Sequence, residues 1–188
     1  MSFMKKKYFP VVFIFLLLNA SCSLFFGNIK PSDEKSSTYR YLDLSTQTQN
    51  WMKWSDQGAQ ITSDSRDLSQ SDISFRSKKS HASISINSVC KKNPQHYRQP
   101  HLKALGQELF LGLHQVEILT ERNLKVSRVD AYEMTIKGLL QQTPLMMRVV
   151  LLQKDACNYD LIYISDPLEF KNHEEDFNRF VAAFELHP

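Results

Sequence analysis

Glycine is scarce in this chain, with five among 188 residues. Loops that cradle phosphate groups are built from glycine, so a nucleotide-binding reading starts without its main material. The Gly-x-Ser-x-Gly elbow, His-Glu-x-x-His, the Walker loop and the dinucleotide fingerprint are all missing. Apolar runs are short as well. The run over residues 8–18 is roughly half of the ~20 residues that a membrane-spanning helix requires. One-sided charge is missing too. The 23 basic residues exceed the 20 acidic ones only because Lys5, Lys6 and Lys7 stand at the amino terminus, and beyond them the balance is 20 against 20. No basic surface is left to argue for nucleic acid, and polyanion binding is disfavoured.

What is present begins with those lysines. They lead into the apolar run and then into Asn19-Ala20-Ser21-Cys22. That order is an export signal ending on a cysteine. The lysines stay on the cytoplasmic side, and small side chains at Ala20 and Ser21 let a peptidase reach the bond before Cys22. The Cys22 thiol would carry diacylglycerol, with palmitate among the expected acyl groups. An ordinary cleaved signal fits less well, because cutting after Ala20 puts Leu18 at a position that calls for a small residue. Leu18 also stands one step further from Cys22 than the leucine of most lipoprotein signals. Ser23 follows the cysteine where aspartate often retains lipoproteins in the inner membrane, so the outer membrane is favoured over the inner. The expected organisation is a signal peptide over 1–21, a polar tether over 22–38 and one domain over 39–188.

Two cysteines remain, Cys90 and Cys157, in a domain placed in an oxidising compartment. Pairing is the expected outcome. Their separation of 67 residues gives a closed loop that the chain-entropy account values at about 4 kcal/mol. Neither has a second cysteine within four residues, which argues against zinc. A catalytic thiol helped by His96 or His101 is the weaker alternative, since histidines beside a proline-containing loop are usually solvated.

Periodicity outlines the domain. Residues 39–44 alternate and predict a first strand. Alternation also predicts strands over 72–77 and 81–90, the latter with Ala82, Ile84, Ile86 and Ser88 on one face. Residues 91–99 read as a loop. Pro100 opens a predicted helix whose stripe is Leu102, Leu105, Leu109, Leu113 and Val116, with Gly106 able to permit close approach to a sheet. Four strands follow, over about 117–127, 129–140, 145–153 and 158–165. The stretch 145–152 is apolar on both sides apart from Arg148, which predicts a central strand covered on both faces. A last helix over 173–184 would take Asn172 as its cap with Glu175 completing a capping box, and would bury Phe177, Phe180, Val181 and Phe184.

At Asn87-Ser88-Val89-Cys90, at 157–163 (Cys-Asn-Tyr-Asp-Leu-Ile-Tyr) and at Phe177-Asn178-Arg179-Phe180-Val181 the chain resembles a group of small, largely uncharacterised proteobacterial lipoproteins. The order of elements is similar to the PsbP-like fold. The resemblance implies an α+β class, an antiparallel sheet with helices packed on its faces. In that lipoprotein group both cysteines are expected, in agreement with the pairing argued from compartment. The motifs are structural, and the partners of other PsbP-like proteins do not transfer, because fold does not imply function.

Catalytic candidates are few. Asp155 and Asp160 flank Cys157, and His173 adjoins Glu174-Glu175-Asp176, where a metal site is conceivable. Turn acids and a solvated helix start explain both groups by local physics. The expectation is therefore no enzyme, no metal and no cofactor. The chain reads as a membrane-anchored envelope lipoprotein whose domain binds an envelope protein partner. The alternative is a carrier or sensor of a small apolar ligand held near Trp51, Trp54, Phe110 and Tyr132. A hollow among those four would favour the alternative, and close packing would favour the first reading.

Overall fold

The computed structural model describes residues 39–54, 72–90 and 101–186. The signal, Cys22, the tether and the loop 91–99 lie outside the described residues. Seven strands form one antiparallel sheet: β2 (Trp51–Trp54), β3 (Ile73–Ser77), β4 (Ser83–Cys90), β5 (His114–Val126), β6 (Val129–Leu140), β7 (Thr143–Lys154) and β8 (Cys157–Ser165). Their order is β2-β3-β4-β8-β7-β6-β5, so two meanders meet where β4 pairs with β8. A small second sheet pairs β1 (Tyr39–Arg40) with β9 (Glu185–Leu186). The α+β class and the central, doubly covered β7 are as the pattern predicted.

The three hairpins of the second meander turn on two residues each. Ser127-Arg128, Gln141-Gln142 and Asp155-Ala156 all have positive φ at both positions, between 48° and 72°. Such turns match the right-handed twist of the flanking strands and usually recruit Asn-Gly. A chain poor in glycine accepts the left-handed conformation on ordinary side chains, at a cost of about 1–2 kcal/mol per residue. Cross-strand packing has to offset that cost.

Strand alternation divides the core into two layers. One face carries Phe75, Ile84, Ile86, Val150, Leu152, Tyr159, Leu161 and Tyr163, closed by a 3-10 turn (Phe170–His173) and helix α3 (Glu174–Ala182) through Phe170, Phe177, Phe180 and Phe184. The other carries Met134, Ile136, Leu145, Met147, Val149, Leu151 and Ile162, covered by helix α2 (Leu102–Glu108). Gly106 makes that approach possible: a Cβ there would sit 3.0 Å from Leu151 Cδ1.

Three local expectations need correction. The predicted first strand keeps only Tyr39–Arg40, because Asp43 accepts from the Ser45 amide at 3.0 Å and opens a short helix, α1 (Leu44–Gln47). Helix α2 ends at Glu108, after which turns carry Leu109 and Leu113 onto the same apolar layer, and Val116 falls on β5, 39% exposed. Two glycines weakened the helix, and tertiary packing held the stripe without it. The Asn172 cap is not formed. Its amide donates to Glu169 Oε2 at 2.6 Å, and the 3-10 turn leads into α3 instead.

Candidate functional site

On β6, alternation sends Tyr132, Met134 and Ile136 to the aliphatic face and Ala131, Glu133 and Thr135 to the aromatic one. Arg148 on β7 points to the aromatic side as well, opposite Thr135. Because α3 covers that side, Glu133 and Arg148 are 5% and 7% exposed. Arg148 Nη2 donates to Glu133 Oε2 at 2.7 Å, and Arg122 of β5, directly opposite Glu133, donates through Nε to Oε1 at 2.8 Å. A more distant contact of 3.4 Å joins Arg148 Nη1 to Glu174 at the start of α3. The guanidinium carbon of Arg148 lies 5.5 Å from the centre of the Phe177 ring. Among the described residues, the buried Arg148 Nε has no hydrogen-bond partner.

A cavity of about 270 Å³ opens beside this network, between the β5–β6 hairpin and α3. Its buried end is Glu133, Arg148 and Val126, and its open end is Arg122, Lys125 and Asn178. Leu124 and Val181 contribute apolar wall. Desolvating two charges costs several kcal/mol per ion, repaid only by good geometry. A core that filled this position with apolar groups would be no less stable, so the network is the least expected feature of an otherwise greasy fold.

A second polar cluster links the β3–β4 hairpin to α3. His173 Nε2 lies 3.0 Å from Ser80 Oγ and 3.5 Å from Ser77 Oγ, and its Nδ1 is 3.6 Å from Asp176 Oδ2. This is the order of a nucleophile, a base and an acid, and the same hydroxyls also brace the turn. The Lys79 and Ser80 amides both donate to Ser77 Oγ at 3.2 Å, and the Ala82 amide donates to Ser80 Oγ at 3.3 Å. The Lys79, Ser80 and Ala82 amides are thereby committed to the turn itself. Asp176 accepts from the Trp51 indole at 2.9 Å and from Arg179. Burial works to raise its carboxyl, and those hydrogen bonds, with His173 alongside, outweigh burial and hold it below the ordinary carboxylate value. The cluster is a clasp. It fastens a hairpin to the covering helix.

The four residues proposed as a ligand surface are divided between the two faces of the sheet. Trp51 is 1% exposed in the aromatic layer, edge-on to His173 with ring centres 5.0 Å apart. Trp54, on the opposite face of β2, is 40% exposed with Arg76 stacked 3.9 Å over it. Phe110 and Tyr132 are packed in the aliphatic layer, where Tyr132 donates to Glu121 Oε2 at 2.5 Å. Trp51 thus lies in one layer, and Phe110 and Tyr132 lie in the other. Cys90 and Cys157 do meet, directly opposite across β4 and β8 and joined as a disulfide. Glu133 and Arg122 escaped sequence reasoning because alternation alone reads them as solvent-facing. The exception visible beforehand was Arg148.

No family model matches the chain, and no curated protein matches it in sequence. Solved structures do. The cyanobacterial PsbP protein CyanoP from Synechocystis superposes with TM-score 0.53 at 9% identity, covering 85% of this chain and 98% of its own. LpqN of Mycobacterium tuberculosis, involved in cell envelope biogenesis, superposes with TM-score 0.53 at 8% identity, covering 85% of this chain and 89% of its own. The chain therefore has a PsbP-like α+β fold. At such identities the likeness extends to the fold alone.

Proposed function

We propose that this protein is a membrane-anchored lipoprotein of the cell envelope whose domain is a non-catalytic binding or accessory module. The observation that carries the reading is the Cys90–Cys157 bond, because structural disulfides form in oxidising compartments and an export signal precedes this domain. The even charge beyond the signal, and a Ser80-His173-Asp176 cluster committed to fastening the hairpin, support binding over catalysis. The involvement of LpqN, which shares the fold, in cell envelope biogenesis agrees with this placement. The partner is an envelope protein, and lipid on Cys22 holds the domain at the membrane, the outer one by the Ser23 rule.

The anchor has a direct test. Cys22→Ala should abolish incorporation of labelled palmitate and move the protein from the membrane to the soluble fraction. Unchanged membrane association of the parent protein, with no fatty acid incorporated, would reject the reading. The alternative, a carrier of a small apolar ligand at Trp51, Trp54, Phe110 and Tyr132, has less support, because Trp51 lies in one apolar layer and Phe110 and Tyr132 in the other.

A further inference from the structure

We infer that the cavity between the β5–β6 hairpin and α3 binds a small amphipathic carboxylate, its anion at Arg122 and Lys125 and its short tail against Val126, Leu124 and Val181. The inference rests on the binding half of the reading above and is independent of the anchor.

Charge is the first argument. Arg122, Lys125 and Arg148 reach the cavity against a single lining carboxylate, Glu133. Both Glu133 oxygens already accept from guanidinium groups. Arg122 engages protein only through Nε among the described residues, and its side chain is 62% exposed, so its two terminal amino groups are open to a ligand. Lys125 pairs with Asp130 at 2.7 Å, but those side chains are 70% and 87% exposed. An ion pair that open to water contributes little and gives way readily to a second anion.

Shape and chemistry supply the rest. A guanidinium presents paired donors that match a planar carboxylate. The volume of about 270 Å³ lies below the ~300–1,000 Å³ of sites for drug-sized molecules, which limits the occupant to a few carbons. Apolar wall on one side and cations at the mouth orient such a molecule with its carboxylate at the mouth and its tail along Leu124, Val126 and Val181. Glu133 at the buried end repels any second negative charge, so a monoanion fits better than a dianion.

The test uses the full-length protein as purified from cells in detergent micelles, with butyrate as probe and butyramide as its neutral counterpart, followed by saturation-transfer NMR and titration. Butyrate should bind roughly tenfold or more tightly than butyramide, the scale of one lost charge-assisted contact. Arg122→Gln should weaken butyrate by a similar factor, and Lys125→Gln, at a fully surface position, by a smaller one. Equal affinity for butyrate and butyramide, or indifference to both substitutions, would overturn the carboxylate assignment and leave a binding cavity of another class. No response to either probe by a folded protein would overturn that assignment and the binding role of the cavity together, leaving the Cys22 anchor untouched.

Discussion

The two faces of the sheet are built from the same strands and differ in what they tolerate. The aliphatic face under α2 is filled by Met134, Ile136, Met147, Val149 and Leu151. The aromatic face under α3 is larger, and it also encloses Glu133, Thr135, Arg148, Ser77, Ser88 and His173. Neighbouring residues on one strand therefore live under different rules, with Glu133 satisfied by two guanidinium groups and Met134 by contact alone. Apolar packing without polar demands fixes a shape. Buried polar groups fix partners, and here they accompany the cavity.

Removing one member of the charge network should produce the largest effect that separates the faces. Glu133→Ala leaves the buried Arg148 without its main partner and should destabilise the fold by about 3–5 kcal/mol in chemical denaturation. The pair Glu133→Leu with Arg148→Met should recover nearly all of it, to within about 1 kcal/mol of the parent. A double variant as unstable as the single one would mean that packing, not charge, decides this face.

The aliphatic side has a charged residue of its own. Asp160 stands on β8 between Asn87 and Leu151, is half-buried, and desolvation pushes its carboxyl up to about 7. A raised acid binds its proton more tightly folded than unfolded, so the contribution of Asp160 to stability is fully present below about pH 4 and is lost as pH rises through about 7. Asp160→Asn should remove that slope and stabilise the protein at pH 8 by on the order of 1–3 kcal/mol. Thermal melts at pH 5 and pH 8 check it, and an unchanged difference between the two would count against the assignment.

The smallest effect is expected one residue from the largest. Met134→Leu on β6 conserves volume and should cost less than about 1.5 kcal/mol by the same denaturation measurement. A loss as large as that of Glu133→Ala would erase the contrast between the faces.

Strand β6 was legible to the residue, 129–140, because two-residue alternation and the flanking turns agree. The last helix and its phenylalanines were legible for a similar reason, since a stripe at helical spacing needs a surface to lie on. The segment after Glu108 was not, because an apolar stripe at steps of three and four packs equally well on turns. The candidate site was half visible. Arg148 stood out against its apolar strand, whereas Glu133 and Arg122 looked like solvent-facing members of alternating strands. Local pattern reports which face a side chain takes and is silent on what covers that face.

Composition and order alone determined that the chain has little glycine for phosphate loops and folds into antiparallel strands with covering helices. These follow from local spacing and side-chain chemistry, which act over a few residues. Only the tertiary structure decided that Glu133 would be buried between two arginines and that Trp51 and Phe110 would lie on opposite faces. Those outcomes depend on which segments, distant in sequence, close over one another, and pairing at long range is set by the whole sheet at once.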